Sequence, residues 1–534
     1  MPRFVPNLIF RIALVLAAMA LSLSAQTPSA QTQVLRSTTQ LVEVDTVATD
    51  SHGKPVTDLQ QDEIRLFEDG KERPLSHFSF EKVEPLNANA EKRLHDLAQN
   101  QRAGIYANFT KETSGVPPNG CIVLLIDWQN TPMELQPVAQ QELKKFLDTV
   151  DLSKPLAIYS LDSTLHLIQS FTSDRQVLKS NVERYGLHNT NLQPEKQADS
   201  SLHSQTTDFR VMNSATALLG IAGILEPIRG HKSLIWLSGS FPTALMPTDR
   251  KGLKAGMEAN QGGWLFGERR DYSGLITKVS HILSAANIAV YPVDAEGLQG
   301  TMADTSDESF VYSLNPKTQN IMERQEAMRD FADLTGGRAF YNHNDIGNEI
   351  ANAYADANTF YALAFTPAKS KPDGKVHTVR VDCRRPGVRL RYRKSYFADD
   401  KQALAEMKRA QLELFVRTPG QSADGLPFMA KIDKQQNDRL KLWLDGNSLS
   451  IVGGQEPFLN VDIGIATFDD HGILLQQNYA PMKIKMSLSQ FQEVQVSGLS
   501  QTLQFARSKE SARVRIAVRD LTSGRIGTLE VPLQ

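Results

Sequence analysis

The stretch that decides the fold is Cys121-Ile122-Val123-Leu124-Leu125-Ile126-Asp127, in which an uninterrupted apolar run ends in a carboxylate. Such a run predicts a strand that is buried on both faces, as in a parallel sheet covered by helices. Farther along the chain, apolar residues recur at the spacing of one helix face at Leu143, Phe146, Leu147 and Val150. The segment therefore predicts the first strand and the first helix of an α/β domain.

The same alternation of buried strands and amphipathic helices continues to residue 366. Further strands are predicted at 156–161, 233–237, 288–293 and 360–365, with 165–168 as an antiparallel edge. Repeated strand–helix units predict a doubly wound, mainly parallel sheet with helices on both faces. We expect strand 121–126 to lie between strands 156–161 and 233–237.

The regions on either side of this α/β domain have a different pattern. Alternation of apolar and polar residues, as at Val42-Glu43-Val44-Asp45, predicts strands in a small β module. Similar alternation at Val514, Ile516 and Val518 predicts a C-terminal β-sandwich. The expected order is a signal peptide at 1–25, the small β module at 33–83, a linker at 84–119, the α/β domain at 120–366, a β-hairpin extension at 367–398, a helix and linker at 399–427, and the β-sandwich at 428–534.

The N-terminus has the layout of a secretory signal. Arg3 and Arg11 precede an apolar run at 12–23, and the small residues Ser24 and Ala25 follow it. The run is shorter than the roughly 20 residues that a membrane-spanning helix needs. We therefore expect an exported chain, periplasmic or extracellular, without a transmembrane span after cleavage. An uncleaved N-terminal anchor is the alternative.

Composition excludes several classes of protein. Of the 534 residues, 41% are hydrophobic and 22% are charged, which excludes disordered and fibrous chains. The net charge of -2 gives no basis for a nucleic-acid partner. The two cysteines, Cys121 and Cys383, are too few for a disulfide scaffold, and we expect both thiols to be free. A basic cluster at 384–394 predicts either an exposed strand face or a patch for an anionic polymer.

Polar residues follow three of the predicted strands. In a doubly wound fold, ligands bind where the strands end at their carboxyl edge. The residues at these strand ends are Asp127, Gln129, Asn130 and Thr131 after the first strand, Ser238 and Ser240 after the third, and Asp294 and Glu296 after the fourth. We therefore expect the functional surface at this edge.

Four blocks of sequence resemble a known family in their order and spacing. They are Ile122-Val123-Leu124-Leu125-Ile126-Asp127, the hairpin at 157–168, Leu234-Ile235-Trp236-Leu237-Ser238-Gly239-Ser240-Phe241-Pro242, and Leu334-Thr335-Gly336-Gly337-Arg338. Together they resemble a von Willebrand factor type A domain, and more narrowly the exported acidobacterial proteins described as VWFA-related. The segments Leu66-Phe67-Glu68-Asp69-Gly70 and Tyr291-Pro292-Val293-Asp294 fit that variety too, so the resemblance covers nearly the whole mature chain.

The resemblance implies a divalent-cation site that is incomplete in this chain. Type A domains often bind Mg²⁺ or Mn²⁺ through Asp-x-Ser-x-Ser and an aspartate from a later loop, with hard oxygen ligands. Here Asp127 and Thr131 match that motif, Gln129 replaces its first serine, and Ser238 lies where the later aspartate is expected. The metal candidates are Asp127, Thr131, Ser238 and Asp294, as a weak or vestigial site. Alternatively, Asp127 only orders its loop through hydrogen bonds.

Two classes of function remain open. The chain has no His-Glu-x-x-His helix, no Gly-x-Ser-x-Gly elbow and no Walker loop. We therefore expect a non-enzymatic module that binds an unidentified protein of the cell envelope or the extracellular space, without a firm cofactor. The contact residues expected at the edge are Trp128, Gln129, Asn130, Ser240 and Glu296. The alternative is a metal-dependent hydrolase that uses Asp127 and Asp294.

Overall fold

The computed structural model describes residues 41–82, 104–109, 120–152, 154–186, 200–239, 244–245, 270–297, 316–368, 373–398, 401–433, 435–451 and 457–533. The predicted signal peptide at 1–25 and most of the predicted linker at 84–119 lie outside these residues.

The elements form three regions along the chain. The strands are β1 (Val42–Thr49), β2 (Ile64–Glu68), β3 (Lys71–Arg73), β4 (Leu75–Lys82), β5 (Tyr106–Ala107), β6 (Cys121–Asp127), β7 (Leu156–Leu161), β8 (Leu165–Thr172), β9 (Lys232–Ser238), β10 (Ala244–Leu245), β11 (Arg270–Asp271), β12 (Ile288–Asp294), β13 (Thr359–Phe365), β14 (Val376–Cys383), β15 (Arg389–Tyr392), β16 (Ser395–Phe397), β17 (Phe428–Ile432), β18 (Arg439–Leu444), β19 (Phe458–Phe468), β20 (Leu474–Lys485), β21 (Leu499–Gln504), β22 (Arg513–Asp520) and β23 (Ile526–Pro532). The helices are α1 (Gln136–Thr149), α2 (Arg175–Gly186), α3 (Ser200–Leu225), α4 (Ser273–Ala285), α5 (Pro316–Thr335), α6 (Ile346–Asp356), α7 (Lys401–Arg417) and α8 (Leu488–Ser497).

A five-stranded sheet forms the α/β region, with the strand order β12-β9-β6-β7-β8. Strand β6 pairs in parallel with β7 on one side and with β9 on the other, which confirms the predicted neighbours of the first strand. Strand β12 extends the parallel set beyond β9, and β8 is the predicted antiparallel edge. The region is therefore a mixed α/β fold with a mainly parallel sheet.

Alternate residues of β6 enter two separate cores, because successive side chains of a strand point to opposite faces. The odd-numbered residues from Cys121 to Leu125 face a core that contains residues of α3, α4 and α5. The even-numbered residues from Ile122 to Ile126 face a core that contains residues of α1, α2 and α6. Helices on both faces explain why the sequence of this strand has no polar interruption.

The N-terminal β region is a sandwich whose strands come from two distant parts of the chain. One sheet has the order β15-β1-β13-β4 and the other β16-β14-β2-β3. The small module at 33–83 and the hairpin extension at 367–398 are therefore one body, not two units as predicted. Strand β13, which was assigned to the α/β domain, pairs with β1 and β4 instead. The local pattern of apolar and polar residues predicts a strand, but it does not predict the sheet in which that strand is paired.

The α/β region is thus inserted between the two halves of this sandwich, and polar contacts join the two bodies. Asp45 of β1 accepts hydrogen bonds from Asn287 Nδ2 at 2.7 Å and lies 3.1 Å from His231 Nδ1. Arg391 of β15 lies 2.7 Å from Asp356 at the end of α6. This arginine of the predicted basic cluster is therefore used inside the protein.

Close backbone approach at the same boundary requires a glycine. Gly336 follows α5 with φ of 86°, in the left-handed region that favours glycine. A Cβ atom at this position would lie 2.6 Å from the backbone nitrogen of Arg393. The turn at 335–337 is therefore the place where the helix end meets the sandwich backbone.

The C-terminal region is a second sandwich, and it includes a strand from the predicted linker. Its sheets have the orders β21-β18-β17-β5 and β20-β19-β22-β23. Strand β5, Tyr106–Ala107, pairs with β17. The predicted linker at 84–119 therefore contributes one strand to the second sandwich.

Strand β22 is buried on both faces, although its sequence alternates between apolar residues and arginines. Arg515 and Arg519 are 2% and 1% exposed. Arg515 Nε donates to the carbonyl oxygen of Phe415 in α7 at 2.6 Å. Arg519 Nη2 lies 2.8 Å from Glu226, just after α3. Arg515 therefore connects the second sandwich to α7, and Arg519 connects it to the α/β region.

Both cysteine thiols are free, as expected, and Cys121 is fully buried. Within the described ranges, no helix is long and apolar enough to cross a membrane.

Replacing Arg519 by alanine should weaken the junction between the second sandwich and the α/β region. Breaking a buried charge pair by removing one partner costs about 3–5 kcal/mol, and Lys408, 3.0 Å from Glu226, offsets part of this. We expect a loss of about 3 kcal/mol in the free energy of urea unfolding. Arg409→Ala, which removes an exposed pair with Glu413, should cost less than about 1 kcal/mol. Equal midpoints for the two variants would contradict the assignment.

His377 should make the stability of the first sandwich depend on pH. Its Nδ1 lies 2.7 Å from Asp69 and its Nε2 lies 3.1 Å from Asp373. The hydrogen bond to Asp69 raises the pKa of His377, so the stabilisation is full below the ordinary histidine pKa and is lost as pH rises through the raised value.

The measurement is the melting temperature from about pH 6 to about pH 9. We expect the wild type to lose melting temperature over this window and His377→Gln to lose less. His471→Gln, at a side chain that is 79% exposed, is the control and should follow the wild type. A wild type and a His377 variant with parallel pH profiles would refute the role of this pair.

Candidate functional site

Three of the four predicted metal ligands form one row at the carboxyl edge of the central sheet. Asp127 ends β6 and is paired in register with Ser238, which ends β9. Ser238 is in turn paired with Asp294, which ends β12. Neighbouring strands lie about 4.8 Å apart, so the row spans about 10 Å.

Asp127 is fully buried, and its carboxylate accepts four hydrogen bonds from the protein. Oδ1 accepts from the backbone nitrogen of Asn130 at 3.1 Å. Oδ2 accepts from Asn130 Nδ2 at 2.9 Å, Ser238 Oγ at 3.0 Å and Trp236 Nε1 at 3.2 Å. Burial raises the pKa of Asp127 to about 6 even though these donors favour the charged form.

The chain that follows Asp127, the loop at 128–135, is held by further side-chain bonds. Thr131 Oγ1 donates to the carbonyl oxygen of Asp127 at 2.7 Å. Gln136 Nε2 donates to the carbonyl oxygens of Trp128 and Thr131, both at 3.1 Å. A Cβ atom on Gly239 would lie 2.5 Å from the carbonyl oxygen of Asn130, so glycine allows the end of β9 to approach this loop.

Helix α3 fixes the other side of the loop. Asn130 Nδ2 donates to Ser214 Oγ at 2.7 Å as well as to Asp127. Gln129 Nε2 donates to the carbonyl oxygen of Arg210 at 2.9 Å, and Gln129 Oε1 accepts from Asn213 Nδ2 at 2.6 Å. The loop is therefore tied both to the sheet and to one stretch of α3.

Asp294 faces a guanidinium from α5. It is 3% exposed, its Oδ1 accepts from the backbone nitrogen of Glu296 at 2.9 Å, and its Oδ2 lies 3.8 Å from Arg324 Nη2. Arg324 also pairs with Glu296. Burial raises the pKa of Asp294 to about 6, and Arg324 opposes that rise. The positive charge beside Asp294 is therefore the guanidinium of Arg324.

These residues do not fit a divalent cation. Hard cations need oxygen lone pairs that converge on one point. The Asn130 amide nitrogen and the Trp236 indole nitrogen direct N–H groups, which have no lone pair for a cation, at Asp127 Oδ2. In the described part of the chain, no group of three or more His, Cys, Asp or Glu residues could hold a metal ion.

The expected contact residues differ in exposure. Trp128 and Asn130 are buried, at 5% and 9% exposed, so neither side chain lies on the surface as the sequence led us to expect. Gln129 and Glu296 are partly exposed. Ser240 lies outside the described residues.

Exposed apolar side chains near the loop were missed by the sequence analysis. Phe209 and Met212 lie on α3, within the stretch that holds Gln129, and are 61% and 53% exposed. Met133, in the loop itself, is 40% exposed. Their spacing in the helix was visible in the sequence, but α3 is apolar on several sides and its exposed side could not be identified.

The sequence also did not identify Trp236 and Arg324, the polar side chains that lie against Asp127 and Asp294. Trp236 lies within an apolar strand, where an aromatic residue predicts only packing. Arg324 lies on α5, far along the chain from Asp294. The only available hint was that a carboxylate at the end of a buried strand requires donors.

Comparisons with known proteins assign no family to this chain. No family model and no curated protein matches this chain. Among solved structures, a von Willebrand factor type A protein from Catenulispora acidiphila is 9% identical with a TM-score of 0.24, over 66% of this chain and 82% of that one.

Two other similar structures are bacterial proteins. The conserved hypothetical protein BatB from Bacteroides thetaiotaomicron is 11% identical with a TM-score of 0.23, over 45% of this chain and 98% of that one. The PilB minor pilin from Streptococcus sanguinis is 11% identical with a TM-score of 0.25, over 46% of this chain and 64% of that one, which is less than two thirds of the pilin. Such values carry no statement about function.

Replacing Asp127 by alanine should destabilise the α/β region strongly. The change leaves buried N–H and O–H groups without an acceptor, and each such group costs about 1–3 kcal/mol. We expect the free energy of urea unfolding to fall by about 3 kcal/mol or more. Asp470→Ala is the control, because that side chain is 77% exposed, and it should change stability by less than about 0.5 kcal/mol. A wild-type unfolding midpoint for Asp127→Ala would show that the network contributes little.

Proposed function

We propose that this chain is an exported, non-enzymatic protein-interaction module of the adhesion or assembly type, built on a type A-like α/β domain with a degenerate metal site. One observation carries the proposal: exposed apolar side chains lie on a rigid frame at the carboxyl edge. Phe209 and Met212 project from the stretch of α3 that is bonded to Gln129 and Asn130.

Exposed aromatic and methionine side chains on a rigid element suit protein recognition. Phenylalanine and methionine are enriched in protein interfaces, and a rigid frame lowers the entropy that binding costs. The partner is a protein of the cell envelope or the extracellular space. The N-terminal signal pattern supports export.

The burial of the edge carboxylates supports a binding role over catalysis. A general base must reach its substrate within hydrogen-bond distance. Asp127 and Asp294 are 0% and 3% exposed, and both oxygens of Asp127 already accept bonds from the protein. The alternative, a metal-dependent hydrolase that uses these two residues, needs them free for substrate and metal.

Photo-crosslinking from position 209 tests the proposed contact surface. A photoreactive phenylalanine analogue at 209 is compared with the same analogue at 473, another apolar position that is 61% exposed but lies in the second sandwich. Each protein is irradiated in envelope extract with Mg²⁺ and with EDTA. We expect a discrete adduct from 209 under both conditions and none from 473.

Affinity provides the matched mutational test. With the crosslinked protein purified, Phe209→Ser with Met212→Ser should weaken binding by about tenfold or more, because truncating interface anchors costs more than about 1 kcal/mol each. Ile473→Ser is the control and should bind like the wild type. Binding that disappears in EDTA would contradict the degenerate metal site, and the absence of any adduct from 209 would contradict this contact surface.

A further inference from the structure

We propose that the N–H groups of Trp236 and Asn130 occupy Asp127 Oδ2 in place of a divalent cation, and thereby fix the loop at 128–135 in one conformation without metal. The inference rests on the proposed function and deepens it, because it makes the binding surface permanently formed instead of metal-regulated.

The first observation is the direction of the N–H groups. Trp236 Nε1 and Asn130 Nδ2 both donate to the same oxygen, Asp127 Oδ2, at 3.2 and 2.9 Å. An indole nitrogen is a donor only, so it cannot turn a lone pair towards a cation. A cation placed at this oxygen would meet the positive ends of these N–H dipoles instead of further oxygen ligands.

The second observation is that the indole is packed inside the core. Trp236 is fully buried in the core that contains α3, α4 and α5. Its ring packs edge-on against Phe331 of α5, with ring centroids 5.5 Å apart. Since protein interiors are close-packed, moving this ring to admit an ion would disturb the core.

The third observation is that the same donors connect the loop to its surroundings. One hydrogen of the Asn130 amide goes to Asp127 and the other to Ser214 of α3. Trp236 brings β9 into the same network. Strand β6, strand β9 and helix α3 are therefore linked through one carboxylate, which is the linking role that a bound cation performs where ligands come from several loops.

A paramagnetic ion provides a direct test on the wild-type mature chain. The indole N–H signals of the four tryptophans are recorded by ¹⁵N-selective NMR and assigned with Trp443→Phe and Trp236→Phe. Should Trp236→Phe not fold, single Phe replacements at Trp128, Trp264 and Trp443 identify Trp236 by elimination. Mn²⁺ is then added in several-fold excess over protein.

A Mn²⁺ ion bound at Asp127 would lie within a few ångströms of the Trp236 N–H and would erase its signal. We expect the Trp236 signal to keep its intensity relative to that of Trp443, whose indole donates to Ser497 in the second sandwich. Selective loss of the Trp236 signal, reversed by EDTA, would overturn the proposal.

Hydrogen exchange tests whether the indole fixes the loop. Trp236→Phe keeps a six-membered aromatic ring but removes the indole N–H together with the volume of the five-membered ring, so we expect backbone amides of 128–135 to exchange several-fold faster. Trp443→Phe, the matched control, should leave that exchange unchanged. An unchanged rate in Trp236→Phe would overturn the fixing role.

These measurements need no partner, so their outcome is separate from that of the crosslinking experiment. A persistent Trp236 signal together with no adduct from position 209 would leave the metal-free network standing and remove the proposed function.

Discussion

The burial of strand β6 on both faces is the constraint on which the rest of the structure depends. Its apolar side chains are at most 1% exposed, and full burial of such a side chain is worth about 1.5–3 kcal/mol. That stabilisation exists only if both faces are covered. Helices α1, α2 and α6 cover one face and α3, α4 and α5 cover the other. Residues of α7 and of the second sandwich, such as Phe415 and Ala517, belong to the core that contains α3, α4 and α5. The C-terminal region is therefore part of the cover of the central sheet.

A strand buried in this way must still end, and it ends in the carboxylate of Asp127. A buried charge is costly unless hydrogen bonds or an opposite charge compensate it. Here backbone, amide, hydroxyl and indole donors do so in part, and burial still raises the pKa of Asp127. At Asp294, where β12 ends, the guanidinium of Arg324 provides an opposite charge that partly compensates the carboxylate. Protein groups thus surround both carboxylates, with four hydrogen-bond donors at Asp127 and a guanidinium beside Asp294.

The three regions are joined by polar pairs that are buried or half-buried. Asp45 with His231 and Asn287 joins the first sandwich to the α/β region, and Arg519 with Glu226 joins the second. Such pairs depend on accurate geometry, because an unpaired buried charge is strongly destabilising. Asp45 and His231 meet at the end of the sheet where β9 begins, which is opposite the edge that carries Asp127. Within the described part of the chain, this junction with the first sandwich therefore lies at the opposite end of the sheet from the carboxyl edge.

The sequence by itself determined the α/β class, the neighbours of β6, the antiparallel edge at β8 and the position of Asp127 at a strand end. These follow from local patterns. The spacing of apolar residues indicates whether one or both faces of a strand are buried, and parallel strands bring their carboxyl ends to one edge of the sheet. Only the tertiary structure decided that β13 belongs with β1, that β5 joins the second sandwich, and that Arg515 and Arg519 are buried. It also decided that the Trp236 indole donates to Asp127 and that the Arg324 guanidinium lies beside Asp294. The physical reason is that hydrogen bonds and ion pairs between distant residues leave no periodic trace, because each depends on where two separate segments meet.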